Sequence, residues 1–136
     1  MIKIKEKYLQ LSKIYEKDKT YLNVYQKEKN KYNILAKIVN DGEEIILSFY
    51  KNNDDSYTLT DNGYAYDQLE VNTNKYQSYS KVIQKIASMY DIDFEEGKLK
   101  TTFPKSNTQY TARKYFDLLT VVKIVKDLYM YDIENK

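Results

Sequence analysis

The chain has 136 residues, a formal net charge of +2, and neither cysteine nor histidine. Its length suits a single domain built around one core. The missing residues exclude disulfides, thiolate metal ligands and cysteine nucleophiles, together with imidazole general bases and every Ser-His or Cys-His pair; zinc could be held only by carboxylates.

Arg113 is the single arginine among 22 basic side chains, and 16 tyrosines stand against four phenylalanines and no tryptophan. The bias toward Lys, Asn, Ile and Tyr is that of an AT-rich genome. A buried tyrosine needs a partner for its hydroxyl, so rings in this number sit at the boundary with water or form a recognition surface. No apolar run approaches the ~20 residues that span a bilayer, and the start, Met1 to Lys7, lacks the apolar stretch of a signal peptide. The expected setting is cytoplasmic, without a membrane. There are no internal repeats or low-complexity tracts and only one proline, Pro104, which predicts one domain over residues 1–136.

Residues 3–17 read as a helix, with Ile4, Tyr8, Leu11 and Tyr15 on one stripe and lysines on the other face. From residue 20 the period falls to two. Leu22 and Val24 alternate with Tyr21, Asn23 and Tyr25, and Tyr32, Ile34, Ala36 and Ile38 alternate with Asn33, Leu35 and Lys37. Asp41-Gly42 is a hairpin signal, because both positions tolerate positive φ. Ile45, Leu47 and Phe49 continue the alternation, Asn52 to Ser56 turn the chain, and Tyr57 and Leu59 begin a fourth strand. A short helix or turn is expected over Tyr64 to Leu69. Residues 75–90 predict a further helix, with Tyr79, Val82, Ile83, Ile86 and Tyr90 on one stripe. Leu99, Thr101 and Phe103 predict a short strand that Pro104 breaks. Ser106 and Gln109 have capping-box spacing before a helix over residues 108–131 that is apolar on two sides. The expected fold is α+β: an antiparallel sheet of about four strands plus one short strand, packed by an N-terminal helix and two C-terminal helices.

The most distinctive segment is Leu59 to Glu70, LTDNGYAYDQLE. It reads either as a carboxylate site of Asp61, Asp67 and Glu70, or as a strand-to-helix turn. In the turn, Asp61 caps the helix and Gly63 supplies a special backbone angle; this second reading is preferred. Glu96-Gly97-Lys98 echoes the acidic-x-lysine half of a metal-dependent nuclease site, with Asp61 as its guessed upstream partner. No EF-hand loop, glycine-rich phosphate loop or nucleophile motif is present. No metal and no cofactor is expected.

Charge is segregated along the chain. Residues 1–37 carry ten lysines and four acids, whereas residues 41–70 carry eight acids and only Lys51. Such blocks are either solvated faces or the two poles of a binding surface.

A strand ending in Leu-Thr-Asp-Asn-Gly-Tyr, followed by a leucine-containing turn and two helices, resembles the bacterial and phage domain of unknown function numbered 1828. The resemblance runs from about Ile46 to Leu128, with Leu59, Thr60, Asp61, Gly63 and Leu69 at its centre. It implies a compact α+β fold and no established activity. Composition and small size also resemble proteins of phages and mobile elements. The first expectation is therefore a non-enzymatic binding protein, such as a phage-encoded, anti-CRISPR-like inhibitor that blocks a host defence nuclease by protein–protein contact. Its expected contact surface is Tyr50, Asp54, Asp55, Tyr57, Tyr64, Tyr66, Asp67 and Glu70, docked on a cationic groove. The second is a nucleic-acid-binding regulator that sets Lys3, Lys5, Lys7 and Lys13 of the N-terminal helix on phosphates. The third is a carboxylate-metal nuclease around Asp61 and Glu96. A homodimer is left open.

Overall fold

The computed structural model of the protein describes residues 21–28, 30–38, 42–72, 79–104 and 108–130, with the backbone alone for residues 21–28 and 108–112. Six strands form one antiparallel sheet: β1 (Tyr21–Glu28), β2 (Lys31–Lys37), β3 (Glu44–Lys51), β4 (Tyr57–Thr60), β5 (Asp93–Glu95) and β6 (Lys98–Phe103). Their spatial order is β1-β2-β3-β4-β6-β5. The first four strands follow one another as a meander. The chain then leaves the sheet through helices α1 (Tyr64–Asn72) and α2 (Ser80–Ser88), and returns as the β5–β6 hairpin. β6 seats itself against β4, and helix α3 (Thr108–Lys126) closes the order.

Period-two patterning decides which side of the sheet is buried. Ile34 pairs with Leu47, Phe49 with Leu59, and Tyr57 with Phe103. All six side chains are buried on the same face. The rings of Phe49 and Tyr57 stack with centroids 5.4 Å apart, and Phe103 closes on both at 6.2 Å. The helices complete this core. α1 contributes Ala65 and Leu69, α2 contributes Ile83 and Ala87, and α3 contributes Tyr115, Leu118, Leu119, Val121, Val122 and Val125. Each large apolar side chain moved from water into such a core stabilises the fold by about 1.5–3 kcal/mol.

Lys114 on α3 is also buried. Its ammonium donates to the carbonyls of Tyr90 at 3.4 Å and Asp91 at 3.3 Å, just past the end of α2. A cation there satisfies acceptors left without helical partners and opposes the negative end of the helix dipole.

The expected α+β architecture is present, with an addition. The strand expected at Leu99 to Phe103 is one arm of a hairpin whose other arm, β5, went unforeseen. The helix expected over residues 75–90 is observed at Ser80–Ser88, residues 73–78 being outside the described set. The N-terminal helix expected over residues 3–17 also lies outside the described residues. Among the described residues, no helix is long and apolar enough to cross a membrane.

Candidate functional site

The Leu-Thr-Asp-Asn-Gly-Tyr segment is the junction between β4 and α1. Asp61 is buried there. One of its carboxylate oxygens, Oδ1, accepts the N–H groups of Gly63 at 2.8 Å and Leu99 at 3.1 Å, while Oδ2 accepts that of Ala65 at 3.0 Å. The side chain thus caps the first turn of α1 and also ties that turn to β6. Burial pushes the carboxyl above its ordinary range, and the three N–H bonds pull in the opposite direction.

Gly63 has φ +87°, and a β-carbon there would lie 3.3 Å from the Gly97 carbonyl oxygen. Glu96 and Gly97 both have positive φ, 52° and 77°. They form the two-residue turn between β5 and β6, with Glu95 paired to Lys98, the signature of a primed hairpin turn. A β-carbon at Gly97 would lie 3.2 Å from the Tyr66 ring, and that ring packs edge-on against Phe94 at 5.4 Å. Glu96-Gly97-Lys98 is therefore turn chemistry, and Asp61 faces backbone donors at its contact with β6. Among the described residues, no group of three or more carboxylates could hold a metal ion.

The expected acidic contact surface is divided by the fold. Asp54 and Asp55 sit in the turn before β4, whereas Asp67 and Glu70 lie on α1, beyond its other end. Asp54 accepts the Ser56 hydroxyl and N–H; these two bonds hold its carboxyl below the ordinary range. Asp55 pairs with Lys51 at 3.1 Å. Tyr57 is a correction: its side chain is 1% exposed and belongs to the core, and burial raises its hydroxyl pKa. Tyr64 donates its hydroxyl to Glu43, which also pairs with Lys126. Tyr66 serves as packing for the β5–β6 hairpin. Tyr50 alone of the expected tyrosines stands on the sheet face opposite the helices.

That open face is polar around Tyr50, with the Leu35–Ile46 pair farther along β2 and β3. Tyr50 is flanked across the sheet by Lys31 on β2 and Thr58 on β4, and Thr58 by Thr102 on β6. One step along, Asn33 pairs with Ser48, Ser48 with Thr60, and Thr60 with Lys100. Short bonds lock these groups: Thr58 to Thr102 at 2.9 Å, Ser48 to Asn33 at 3.2 Å, and Asn62 Nδ2 to Ser48 Oγ at 2.9 Å. A cleft of about 590 Å³ opens above them. Its basic lining is Lys31, Lys51, Lys98 and Lys100; Tyr50, Asn30, Thr60 and Asn62 supply aromatic and neutral polar groups; Glu95 and Glu96 supply the acids. Lys100 pairs with Glu95 at 2.8 Å, and this hydrogen bond is the main reason its pKa is raised.

Sequence reasoning missed Lys31, Lys98, Lys100, Thr60 and Asn62 as one group. Their signal was the polar half of each alternation, which reads as plain solvent exposure until strand order is known.

The family model described as "Domain of unknown function DUF1828" matches residues 37–122. The match covers more than half of the chain, from the end of β2 into α3. The chain belongs to this family. No curated protein and no solved structure matches it. The family segment contains the Asp61–Gly63 junction, both arms of the β5–β6 hairpin, and Tyr50, Thr60, Lys98 and Lys100 of the cleft. Asn30 and Lys31 lie upstream of it.

Proposed function

We propose that this domain is a non-catalytic binding module that holds an anionic macromolecule against the open face of its sheet. The observation that carries the reading is the cleft above Tyr50, where lysines from β2, β3 and β6 converge over a floor of hydroxyl and amide groups. Lys51 is paired with Asp55 and Lys100 with Glu95, which leaves Lys31 and Lys98 against Glu96 and favours an anionic occupant. The floor groups are bonded to one another, so they form a fixed surface more than a set of mobile reactive groups. The chain has no histidine, and Asp61 is engaged by three backbone N–H groups; neither feature suits acid–base chemistry.

An inhibitor that docks through Asp54, Asp55, Asp67 and Glu70 needs those carboxylates to act together. Their division between the two ends of β4 does not favour that reading.

The test is charge reversal. A Lys31→Glu, Lys98→Glu, Lys100→Glu variant is compared with an Asp54→Lys, Asp55→Lys, Asp67→Lys variant. Both are measured for retention on a heparin column and for binding dextran sulfate. The lysine variant is expected to elute early and bind poorly, and the acidic variant to match or exceed the unaltered protein. If reversing Lys3, Lys5, Lys7 and Lys13 abolishes binding while the open-face variant retains it, the sheet face is not the site.

A further inference from the structure

The lysines of the cleft explain why an anion would bind, but they do not explain Tyr50. Its half-buried ring stands in the middle of a polar face, between Lys31 on one neighbouring strand and Thr58 on the other. Resting on the reading above, we infer that the occupant is single-stranded nucleic acid, with one base stacked on Tyr50, the adjoining phosphate on Lys31, and the strand running on across the sheet toward Lys100 and Lys98.

Three features of the face argue for a single strand over a duplex or a simple polyanion. First, a base can lie flat on an aromatic ring only when its own face is accessible, and a duplex hides those faces within its stack. Second, the cationic groups are distributed to follow a backbone. Neighbouring strands lie about 4.8 Å apart and same-face residues about 6.8 Å apart along a strand. Lys31 on β2 and Lys100 on β6 are thus separated by roughly 16 Å with Tyr50 between them, which spans a short run of strand. Third, Asn62 holds its amide group in place by donating from Nδ2 to the Ile46 carbonyl at 3.3 Å and to Ser48 Oγ at 2.9 Å. Asn62 lines the cleft, and with Nδ2 engaged its amide offers Oδ1 as the acceptor for a base amino group.

The acids of the cleft sharpen the inference. Glu95 neutralises Lys100, and Glu96 sits at the tip of the same hairpin. Phosphates are therefore held most strongly at Lys31, the cleft lysine farthest from the β5–β6 hairpin. Removing the Glu95 charge should release Lys100 and tighten binding.

The probes are a short fluorescein-labelled strand of mixed sequence, the same sequence as a duplex, dextran sulfate and poly-glutamate, followed by fluorescence anisotropy. The single strand is expected to bind more tightly than the duplex. Tyr50→Ala should weaken it by about five- to a hundredfold, the range seen when a stacked base loses its aromatic partner, while Tyr50→Phe should retain it. Replacing Lys31 and Lys98 by Gln should reduce the slope of log K against log salt by about 0.7 for each phosphate that is no longer neutralised. Glu95→Gln should increase affinity. Circular dichroism melts confirm that each variant is folded. If strand, duplex and dextran sulfate bind alike and Tyr50→Ala changes nothing, the single-strand inference is overturned while the anion-binding module stands. A clear preference for poly-glutamate assigns the face to an acidic polypeptide and also overturns it. If no probe binds, both the inference and the reading beneath it fail.

Discussion

Asp61 and Leu99 are 38 residues apart in the chain and are joined by a hydrogen bond from the Leu99 N–H to Asp61 Oδ1. The same oxygen accepts the N–H of Gly63, two residues away. One carboxylate therefore decides both how the chain turns out of β4 and where β6 enters the sheet. The residues that open the cleft on the far side of β6, Lys98 and Lys100, are placed by a group that never faces the cleft.

Replacing Asp61 by Asn keeps the shape of the side chain. Its NH2 group, however, would meet either the Ala65 N–H or the two donors at Oδ1. At least one buried backbone donor loses its acceptor, which costs about 1–3 kcal/mol. Asp61→Ala removes all three hydrogen bonds and should cost more. Urea unfolding of both variants checks the order; an Asn variant as stable as the parent would show that the three bonds contribute little.

The glycines separate two costs. Gly42 has φ +79° with nothing within 4 Å of where a β-carbon would stand, whereas Gly63 and Gly97 combine positive φ with close neighbours. Gly42→Ala should cost about 1 kcal/mol from backbone strain alone. Gly63→Ala and Gly97→Ala should each cost more, because the chain must also yield against the Gly97 carbonyl or the Tyr66 ring. Thermal melts of the three variants in one buffer give the ranking directly.

Tyr57 tests the division between core and surface. Truncation to Ala removes a ring that is packed on Phe49 and Phe103, and should destabilise by about 3–5 kcal/mol. Tyr50→Ala, on the open face, should leave the melting temperature nearly unchanged. Equal melting temperatures for the two variants would contradict the burial of Tyr57.

Asp54 sets a small acid sensitivity. Its carboxyl lies below the ordinary value of 3.8 in the folded chain because Ser56 donates to the charged form. A depressed folded pKa means that the unfolded state binds the proton first as pH falls. The contribution is therefore present above pH 3.8 and is lost as pH drops through the folded value. Asp54→Asn should remove that part of the acid dependence and leave the neutral-pH fold intact, as read from melts taken between neutral and acid pH.

The meander was legible because Ile34, Leu47, Phe49 and Leu59 fall on a period of two against mostly polar neighbours, Leu35 and Ile46 excepted, and because Asp41-Gly42 is a hairpin signal between β2 and β3. The roles of Asp61 and Gly63 were legible for a similar reason: a carboxylate and a glycine at the end of a strand are local signals of a turn. β5 was not, since Asp93-Phe94-Glu95 is too short to show a period and Glu96-Gly97 is a weaker turn signal than Asn-Gly or Asp-Gly. The cleft on the open face was hidden for a different reason. Charge was read along the chain, where residues 41–70 form one acidic block, but β4 carries Asp54 and Asp67 to opposite ends. Lys98 and Lys100 come beside Thr60 and Asn62 only because the chain crosses over two helices before pairing with β4.

That crossover also gives the chain a waiting period at birth. β3 and β4 can pair as soon as they emerge from the ribosome, but the other edge of β4 has no partner until β6 is made. At about 5–20 residues per second, the 38 residues from Asp61 to Leu99 take roughly 2–8 s. Throughout that interval the nascent chain presents an open, apolar-backed strand edge, the kind of surface on which neighbouring chains join.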